Sequence, residues 1–433
     1  MDTGHAAWLL TSASLVLVMT PGLALFYGGM TRAGSVLNMM MMSFGVLAIV
    51  PVVYVLWGWS MSYGSQDFAG LFASPFELFG LAGVADGDYL SIAFQVTFAI
   101  ITTALISGAI ADRARFSTWM VFAAAWVTLA YFPLAHMVWG GGLLSSDGPF
   151  GDIAPPVDYA GGTVVHINAG VAGLVLALLL GVRHGFGSEP SRPHNLPLTM
   201  LGAGLLWFGW FGFNVGSFVP SQSGDAFAAD FAGETGLVWV NTTACTAAAM
   251  LGWLLLEKVR DGKATSLGAA SGVVAGLVAI TPACGSLTPV GSIVLGLVAG
   301  VLCALAVGLK YRLGYDDSLD VVGVHLVGGL VGTVGVGFLA VDGGLAYGDG
   351  GRQLAVQVII ALVAVAFSAL LTFLVGGFLK LTMGWRIDDG ESVGVDVAEH
   401  GESAYDLAST GGSPPATGAS TRVSGRASEG ANA

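Results

Sequence analysis

The chain has 433 residues, of which 55% are hydrophobic and only 10% are charged, and its formal net charge is −13. Apolar runs long enough to cross a lipid bilayer recur along most of its length, which identifies a membrane protein and excludes a water-soluble domain. The acidic balance offers no basic surface for nucleic acid, so we expect no nucleic-acid partner.

The predicted membrane spans begin close to the N-terminus and continue to about residue 379. Uncharged runs cover residues 3–31, 33–66, 89–111, 116–146, 159–182, 193–224, 235–256, 264–309, 321–341 and 353–379. The run 264–309 is too long for one helix, and Pro282, Gly285 and Pro289 interrupt it, so it is predicted to form two. Residues 68–85 carry Glu77 and are predicted to form an outer loop or interfacial segment. The pattern therefore predicts an all-α multi-pass membrane protein with eleven transmembrane helices.

The basic residues predict the orientation of these helices. Alternate loops contain Arg32, Arg113, Arg115, Arg183, Arg192, Lys258, Arg260, Lys263, Lys310 and Arg312, whereas the opposite loops contain only Arg352. Cytoplasmic loops are enriched in Lys and Arg, so the N-terminus is predicted outside and the C-terminus inside the cell membrane. Asp2, rather than a basic region, precedes the first run, so no signal peptide is evident, and N-terminal cleavage stays an open question. The outer loops are acidic, which fits a surface exposed to high salt and suggests a haloarchaeal source.

Two histidines lie deep inside uncharged stretches and share the pattern H-x3-G-x2-G. His166 is followed by Gly170 and Gly173, and His325 is followed by Gly329 and Gly332. Ionisable residues at membrane depth are costly and usually functional, so both histidines are candidate site residues. The shared frame indicates an internal repeat, and many transporters place their site at the interface between two repeats.

Several segments resemble the ammonium transporter family known as Amt/Mep/Rh, in its Amt branch. The resemblance covers about residues 15–405, and its motifs are TPGLALFYGG at 20–29, FQVTFA at 94–99, AHMVWGGG at 135–142, DYAGGTVVHINAG at 158–170, WFGFNVGS at 210–217 and DDSLDVVGVH at 316–325. It implies two inverted five-helix halves followed by a final helix, and a homotrimer with one pore per subunit. The lipids of the cell membrane would surround this trimer, and no metal or organic cofactor is implied.

The same resemblance implies a role for individual residues. An outer site for recruiting ammonium, and methylammonium in competition, would contain Trp139, Ser217 and Phe98. Phe98 and Phe213 would form a stacked gate below that site, and His166 and His325 would be the paired pore histidines. Asp158 would shape the outer vestibule, where its carboxylate could accept N–H bonds near Gly161 and Gly162.

Each residue also has an ordinary structural interpretation. A single intramembrane histidine often serves helix packing, Trp139 alone would be an interfacial aromatic, and Phe98 and Phe213 alone would be core residues. Asp320 is interpreted as a helix-cap or structural acid, and His136 as structural.

The chain is therefore predicted to divide into a transmembrane transport domain at 1–386, a cytoplasmic regulatory segment at 387–407 and a disordered tail at 408–433. Residues 394–405 match the family's cytoplasmic segment, which implies coupling between subunits and regulation by a PII-type signal protein. Arg113, Arg115, Lys258, Arg260 and Lys263 offer a charged platform for such a partner, and the alternative for 394–405 is a solvated acidic tail.

The predicted function is ammonium transport, in which the ion is recruited outside, loses its proton and crosses as ammonia between the two histidines. One alternative is an ammonium sensor on the same scaffold, and another is a neutral-gas channel of the Rh type. A membrane enzyme is disfavoured, because two histidines without nearby Cys, Asp or Glu ligands make a poor metal site.

Overall fold

In a computed structural model, residues 2–188, 192–223, 226–348, 350–387 and 394–405 are described. The predicted disordered tail at 408–433 and part of the predicted segment at 387–407 lie outside these residues. The described residues form a helical bundle with one short hairpin. Its helices are α1 Thr3–Met30, α2 Ala33–Tyr63, α3 Asp86–Ile110, α4 Phe116–Trp139, α5 Gly162–Leu180, α6 Leu196–Val215, α7 Phe227–Asp261, α8 Ser266–Ile280, α9 Pro289–Leu313, α10 Val322–Leu339, α11 Arg352–Thr382 and α12 Val395–His400.

Ten of these helices are long and apolar enough to cross a membrane, and α8 is a shorter apolar helix beside them. The prediction of an all-helical, multi-pass membrane protein is therefore confirmed. The predicted break in the run 264–309 is also present, because α8 ends at Ile280 and α9 begins at Pro289. Thr288 caps α9 by accepting a hydrogen bond from the Gly291 N–H at 3.0 Å, and proline at the first helical position lacks the N–H that would otherwise need a partner.

The segment predicted to lie outside the membrane contains no spanning helix. It consists of an antiparallel hairpin of β1 Asp67–Phe68 and β2 Phe72–Ala73, followed by a 3-10 turn at Phe79–Leu81. Glu77 lies inside this loop and accepts hydrogen bonds from the Ser65 hydroxyl and the Gln66 N–H.

The bundle is apolar on its outside as well as in its core. Leu255, Leu374 and Leu381 are 63%, 55% and 88% exposed. The core is filled by large side chains such as Trp119 and Trp126, which are fully buried. Large apolar side chains on the surface of long helices are expected where lipid, rather than water, is the solvent.

Four of the long helices contain a π-helical turn. These turns are Tyr54–Gly58 in α2, Val127–Tyr131 in α4, Gly162–Ile167 in α5 and Val322–Leu326 in α10. Single π turns inside α-helices are rare and are frequently found at functional sites. Two of the four contain the histidines with the repeated sequence pattern.

A buried ion-pair network joins the loops at one end of the bundle. Arg183 binds Asp316 at 2.9 Å and Asp112 at 2.7 Å, and the Arg113 guanidinium lies 3.7 Å from Asp316. Arg113 is fully buried and also donates to the Ser318 hydroxyl and the Asp316 carbonyl. The prediction that Arg113 belongs to a surface platform for a protein partner is therefore wrong, because its charge is used inside the fold.

The last described segment packs against the same end of the bundle. In α12, Asp396 is 1% exposed and accepts hydrogen bonds from the Leu37 and Asn38 N–H groups at 3.0 and 2.8 Å. Glu399 accepts from the Phe116 N–H at 2.9 Å. These two carboxylates thus bind the first turns of α2 and α4, where the helix dipole favours negative charge. α12 is consequently packed against the bundle, whereas most of residues 401–405 are exposed.

Candidate functional site

A wide vestibule opens at the end of the bundle opposite α12. Its volume is about 940 Å³, and its lining includes Phe98, Trp139 and Ser217 together with Trp59 and Tyr63. The structure therefore brings the three residues of the predicted recruitment site to one cavity. Most of the cavity wall is apolar and aromatic, and Asp2 is the one carboxylate among the described lining residues, so a small cation there would meet mainly ring faces.

The three predicted recruitment residues offer complementary surfaces. The Trp139 ring lies 6.1 Å from the Phe98 ring, with an interplanar angle of 88°. The Ser217 hydroxyl donates its hydrogen to the Phe213 carbonyl at 2.9 Å, so the lone pairs of its oxygen stay available to accept a hydrogen bond from a ligand N–H. Aromatic faces and a hydroxyl acceptor together suit a small cation that carries N–H donors.

Phe98 and Phe213 close the floor of the vestibule. Their rings are stacked at 4.1 Å with an interplanar angle of 18°, and the two side chains are 1% and 0% exposed. Phe98 lines the vestibule, whereas Phe213 lines the passage on the other side. The stacked pair therefore lies between the two spaces.

Below the gate lies a narrow passage with a cavity volume of about 10 Å³. Its wall is formed almost entirely by apolar side chains, among them Met19, Leu23 and Phe26, and the two histidines interrupt that apolar wall. A space of roughly 10–15 Å³ holds about one water-sized molecule. The passage is therefore too small and too apolar for a hydrated ion, whose transfer into such surroundings is costly.

His166 and His325 contact each other in this passage. Their Nδ1 atoms are 3.3 Å apart, and their rings lie 5.5 Å apart at an interplanar angle of 24°. For these two atoms to share a hydrogen bond, one imidazole must donate through Nδ1 and the other must accept. The two Nε2 atoms then differ, since one is an acceptor and the other a donor. Nε2 of His166 has no hydrogen-bond partner among the described residues, so it is available to a solute.

The repeated glycines explain how the histidines approach so closely. A Cβ atom on Gly170 would lie 2.4 Å from the Leu326 backbone nitrogen, directly after His325. A Cβ atom on Gly329 would lie 3.1 Å from the Cβ atom of His166. The turn that contains His325 therefore packs against Gly170, and the turn that contains His166 packs against Gly329. The H-x3-G pattern is thus a packing requirement as well as a sequence repeat.

Asp158 supports the start of α5 and, through it, the vestibule. One carboxylate oxygen accepts from the Gly161 N–H at 2.9 Å and from Gly162, and the other accepts from Thr163 N–H at 2.8 Å, from the Thr163 hydroxyl and from Val164. Its backbone carbonyl accepts from the Trp139 indole N–H at 2.9 Å. The side chain is 8% exposed, and its oxygens are occupied by the chain itself. Asp158 thus holds the α5 turn and Trp139 in place.

A second carboxylate in the equivalent position was missed by the sequence reasoning. Asp317 lies eight residues before His325, as Asp158 lies eight before His166. Asp317 accepts from the Val321 and Val322 N–H groups at 3.0 and 2.7 Å and so caps α10. The sequence analysis interpreted Asp320 as a helix-cap or structural acid, and the structure supports the second interpretation, because Asp320 binds Lys310 at 2.6 Å. The shared offset from histidine was the signal that could have identified Asp317.

Two further residues complete the environment of the histidines. Trp210 stacks on His166, with ring centroids 5.5 Å apart and an interplanar angle of 16°, and its indole N–H donates to the Thr281 hydroxyl at 2.9 Å. His136, interpreted as structural, lies outside the passage and binds the Ser62 carbonyl and Asp67. Within the described parts of the chain, no group of three or more His, Cys, Asp or Glu side chains is arranged to bind a metal ion.

An open vestibule, a stacked aromatic pair and a small apolar cavity within a helical bundle indicate a membrane transport protein for a small solute. Residues 7–405 match the Ammonium Transporter Family. An ammonium transporter of Mycobacterium tuberculosis (strain H37Rv) is 50% identical, with 96% of this chain and 93% of that protein covered. The ammonium transporter of Aquifex aeolicus is 45% identical, with 94% of each chain covered. The chain belongs to the ammonium transporter family.

Solved structures show the same architecture. Mep2 of Candida albicans has a TM-score of 0.81 at 30% identity, with 93% of this chain and 90% of that chain covered. A protein described as Sensor Amt Protein has a TM-score of 0.81 at 28% identity, with 92% and 98% covered.

Proposed function

We propose that this chain moves ammonium across the cell membrane by separating the ion into ammonia and a proton. Ammonium enters the vestibule, where the faces of Trp139 and Phe98 attract the cation and the Ser217 oxygen accepts one of its N–H groups. The ion releases its proton to the water of the open vestibule, and the resulting ammonia then passes the gate of Phe98 and Phe213. The observation that carries the proposal is the approximately 10 Å³ passage, which fits one small neutral molecule and excludes a hydrated ion.

The histidine pair gives ammonia a route through this apolar space. Ammonia has three N–H donors and one lone pair, and the pair presents one acceptor and one donor at its Nε2 atoms. Both imidazoles stay neutral in this mechanism, since a charge at this depth would be costly. A potassium ion has no proton to release, so it cannot be converted into a neutral species and is rejected.

The decisive experiment is current recording from proteoliposomes that contain the purified protein, with the internal pH measured at the same time. An inward ammonium gradient should alkalinise the lumen if ammonia crosses alone, and should produce an inward current if a proton crosses as well. Potassium pulses should give neither signal. His166→Ala and His325→Ala should abolish the response to ammonium, and failure of the wild-type protein to give either signal would contradict the proposal.

The distribution of basic residues supports an orientation with the N-terminus outside and the C-terminus inside. The loops that contain almost all the basic residues lie at the same end of the bundle as α12, and positive loops face the cytoplasm. We therefore place the vestibule outside the cell. Cysteine labelling tests this orientation. One variant has a cysteine at exposed Tyr89 and another has a cysteine at exposed Lys263. In intact cells, a membrane-impermeant reagent should label only the cysteine at position 89.

We also propose that the protein is a homotrimer regulated at its cytoplasmic face. The resemblance to the family motivates both the trimer and the PII-type partner. Lys258 and Arg260 in the last turn of α7, and Lys263 just after it, are exposed and form a basic surface. Deletion from Asp396 onward tests the role of the last segment. Altered flux in the purified protein supports coupling between subunits, and altered binding of the organism's PII protein supports a docking role. No change in either would reject both roles.

The sensor function has one specific observation in its favour, which is the similarity to Sensor Amt Protein. A sensor would bind ammonium and change the packing of α12 without substantial flux. A neutral-gas channel of the Rh type would conduct ammonia without recruiting the cation, so its rate would not saturate with ammonium. The proteoliposome experiment separates all three, since only the proposed transporter combines substantial flux with saturation.

A further inference from the structure

Two glutamine side chains near the start of α11 are buried inside the bundle. Gln353 and Gln357 lie four residues apart, so they share one face of the helix, and they are 3% and 0% exposed. A buried amide is costly unless it finds hydrogen-bond partners. The partners of these two side chains therefore show what this face of α11 holds in place.

Gln357 binds both backbone polar groups of Val157. Its Oε1 atom accepts a hydrogen bond from the Val157 N–H at 2.9 Å, and its Nε2 donates to the Val157 carbonyl at 2.8 Å. Nε2 also donates to the Thr333 carbonyl of α10 at 3.0 Å. These three backbone partners determine the orientation of the amide, because exchanging its oxygen and nitrogen would set donor against donor and acceptor against acceptor.

Gln353 extends this contact by one helical turn. Its Nε2 donates to the Pro155 carbonyl at 2.9 Å and to Oε1 of Gln357 at 3.2 Å. Residues 155–158 have no regular secondary structure, so their backbone groups have no helix or sheet partners. The two glutamines supply hydrogen bonds that a neighbouring strand would otherwise provide. α11 thus holds this segment from one side.

The segment leads directly to the group that holds Trp139. Val157 is followed by Asp158, whose backbone carbonyl accepts from the Trp139 indole N–H at 2.9 Å. Trp139 is the last residue of α4, and its side chain is partly exposed to the vestibule. The bond to the Asp158 carbonyl therefore helps to orient the ring that the vestibule presents to a cation.

The Asp158 carbonyl lies between two anchored points. After it, the Asp158 carboxylate binds the start of α5, and the Tyr159 N–H donates to the Pro282 carbonyl at 3.2 Å. Before it, Gln357 holds Val157 by two hydrogen bonds. Neighbouring Cα atoms are only about 3.8 Å apart, so a shift of Val157 is passed on to the next residue. Loss of the Gln357 amide would free the carbonyl on one side.

We propose that Gln357 is a positioning residue for cation recruitment. It fixes Val157, and through Val157 the Asp158 carbonyl that orients the Trp139 ring. Gln357 is 0% exposed, so it acts on the ion only through these groups. Cation–π attraction requires the cation to lie over the ring face, so a ring that turns attracts the ion less well. This inference rests on the proposed function, in which Trp139 attracts ammonium.

The first test measures the half-saturating ammonium concentration and the maximal rate in proteoliposomes. Gln357→Leu should raise the half-saturating concentration by at least about 2-fold, and by no more than Trp139→Leu does. In the Trp139→Leu background it should cause no further increase, because its effect passes through the indole ring. An equal increase in both backgrounds, or no increase in the wild-type background, would overturn the proposal.

The second test needs no transport. In protein labelled with fluorotryptophan, the fluorine NMR signal of Trp139 is the one that Trp139→Leu lacks. This signal should move in Gln357→Leu. Thr372→Val is the matched control on the same helix, because it removes the hydroxyl that accepts from the Trp126 indole at 2.9 Å. The control should move the Trp126 signal and leave the Trp139 signal in place.

The two tests together separate the inference from the proposed function. An unmoved Trp139 signal in Gln357→Leu would overturn the proposal whatever the transport data show. A moved signal, combined with unchanged saturation in Trp139→Leu, would confirm that Gln357 orients Trp139 and would contradict the recruitment role of Trp139 instead.

Gln357→Glu provides a second variant if Gln357→Leu does not fold. A buried carboxyl stays neutral and keeps one acceptor and one donor, so this side chain can still bind both backbone groups of Val157 and loses only the bond to Thr333. Beside Gln357→Leu it should therefore restore most of the affinity and most of the Trp139 signal position. As the only folded variant, it should leave both close to wild type, and a saturation shift as large as that of Trp139→Leu would overturn the proposal.

Discussion

The glycine that follows His166 by four residues allows a sharp test of the histidine pair. In Gly170→Ala, the new Cβ would lie 2.4 Å from the Leu326 nitrogen, whereas ordinary contacts begin at 3.4 Å. The difference, 3.4 − 2.4 = 1.0 Å, must be met by separating α5 from α10, because a backbone atom cannot rotate away. Adding the same 1.0 Å to the 3.3 Å between the two Nδ1 atoms gives 4.3 Å, which is no longer a hydrogen bond.

The consequences should appear in both stability and transport. Overpacking of this kind costs about 1–3 kcal/mol of the free energy of unfolding, and a displacement of about 1 Å in a positioned site can reduce a rate roughly 100-fold. Gly170→Ala should therefore fold with a lower Tm and transport ammonium at least about 10-fold more slowly. Both are measured on the same purified preparation, by thermal unfolding and by ammonium-induced current or internal pH change.

Two other glycines provide graded controls. In Gly329→Ala the new Cβ would lie 3.1 Å from a side-chain atom of His166, so a shift of 0.3 Å is enough and the loss should be small. In Gly377→Ala nothing lies within 4 Å, so transport should be unchanged and the better helix propensity of alanine should help by up to about 1 kcal/mol. Equal transport by Gly170→Ala and the wild-type protein would refute the packing argument.

Other expected outcomes follow from the same contacts. Trp139→Leu should raise the half-saturating ammonium concentration by roughly 2–30-fold, the equivalent of about 0.5–2 kcal/mol of cation–π attraction, and an unchanged saturation curve would place recruitment elsewhere. Asp158→Asn should lower Tm. The amide has only one acceptor oxygen, and its NH₂ group would face backbone N–H groups that now donate to the second carboxylate oxygen. The free energy of unfolding should fall by about 1.5–3 kcal/mol for each charge-assisted hydrogen bond that is broken. Thr163→Val, which removes only the hydroxyl bond to Asp158, should lower Tm less. Asp316→Asn should cost about 3–5 kcal/mol of the free energy of unfolding, because Arg113 loses its charged partner and Arg183 keeps only Asp112. Burial opposes the shift, but hydrogen bonds and charges from Arg183 and Arg113 hold the pKa of Asp316 below its usual 3.8. Its stabilising contribution is therefore fully present above pH 3.8 and lost as the pH falls below it, and Asp316→Asn should remove that part of the acid unfolding profile.

The sequence predicts the number and type of the helices well, because each span must be long and apolar and because few residues are charged. It also singles out the two histidines, since an ionisable residue in an uncharged run is conspicuous. It cannot predict the π turns, because these depend on how α5 and α10 pack against each other. Nor does it distinguish Asp317 from Asp320 as the cap of α10 until the offset from His325 is compared with the offset of Asp158 from His166.

Arg113 shows the opposite limit. From the sequence alone, a basic residue in a predicted inner loop could set the membrane orientation, bind a protein partner or belong to a buried ion pair. Only the structure shows Asp316 and Ser318, some 200 residues further along the chain, at the same place. Ion-pair partners that are far apart in sequence depend on the whole fold, so they cannot be predicted from the residues next to Arg113.

The similar surroundings of His166 and His325 explain why the two histidine turns depend on each other. At each histidine, a carboxylate eight residues earlier binds the start of the helix, a π turn contains the histidine, and the glycine four residues later packs against the other histidine turn. Neither histidine alone would have a partner for its Nδ1 atom at this depth, and an unsatisfied polar group in apolar surroundings is costly. Meeting at 3.3 Å satisfies one nitrogen of each ring and leaves the others for a solute. The contact that lets both histidines be buried is therefore the same contact that equips the passage for a small hydrogen-bonding molecule.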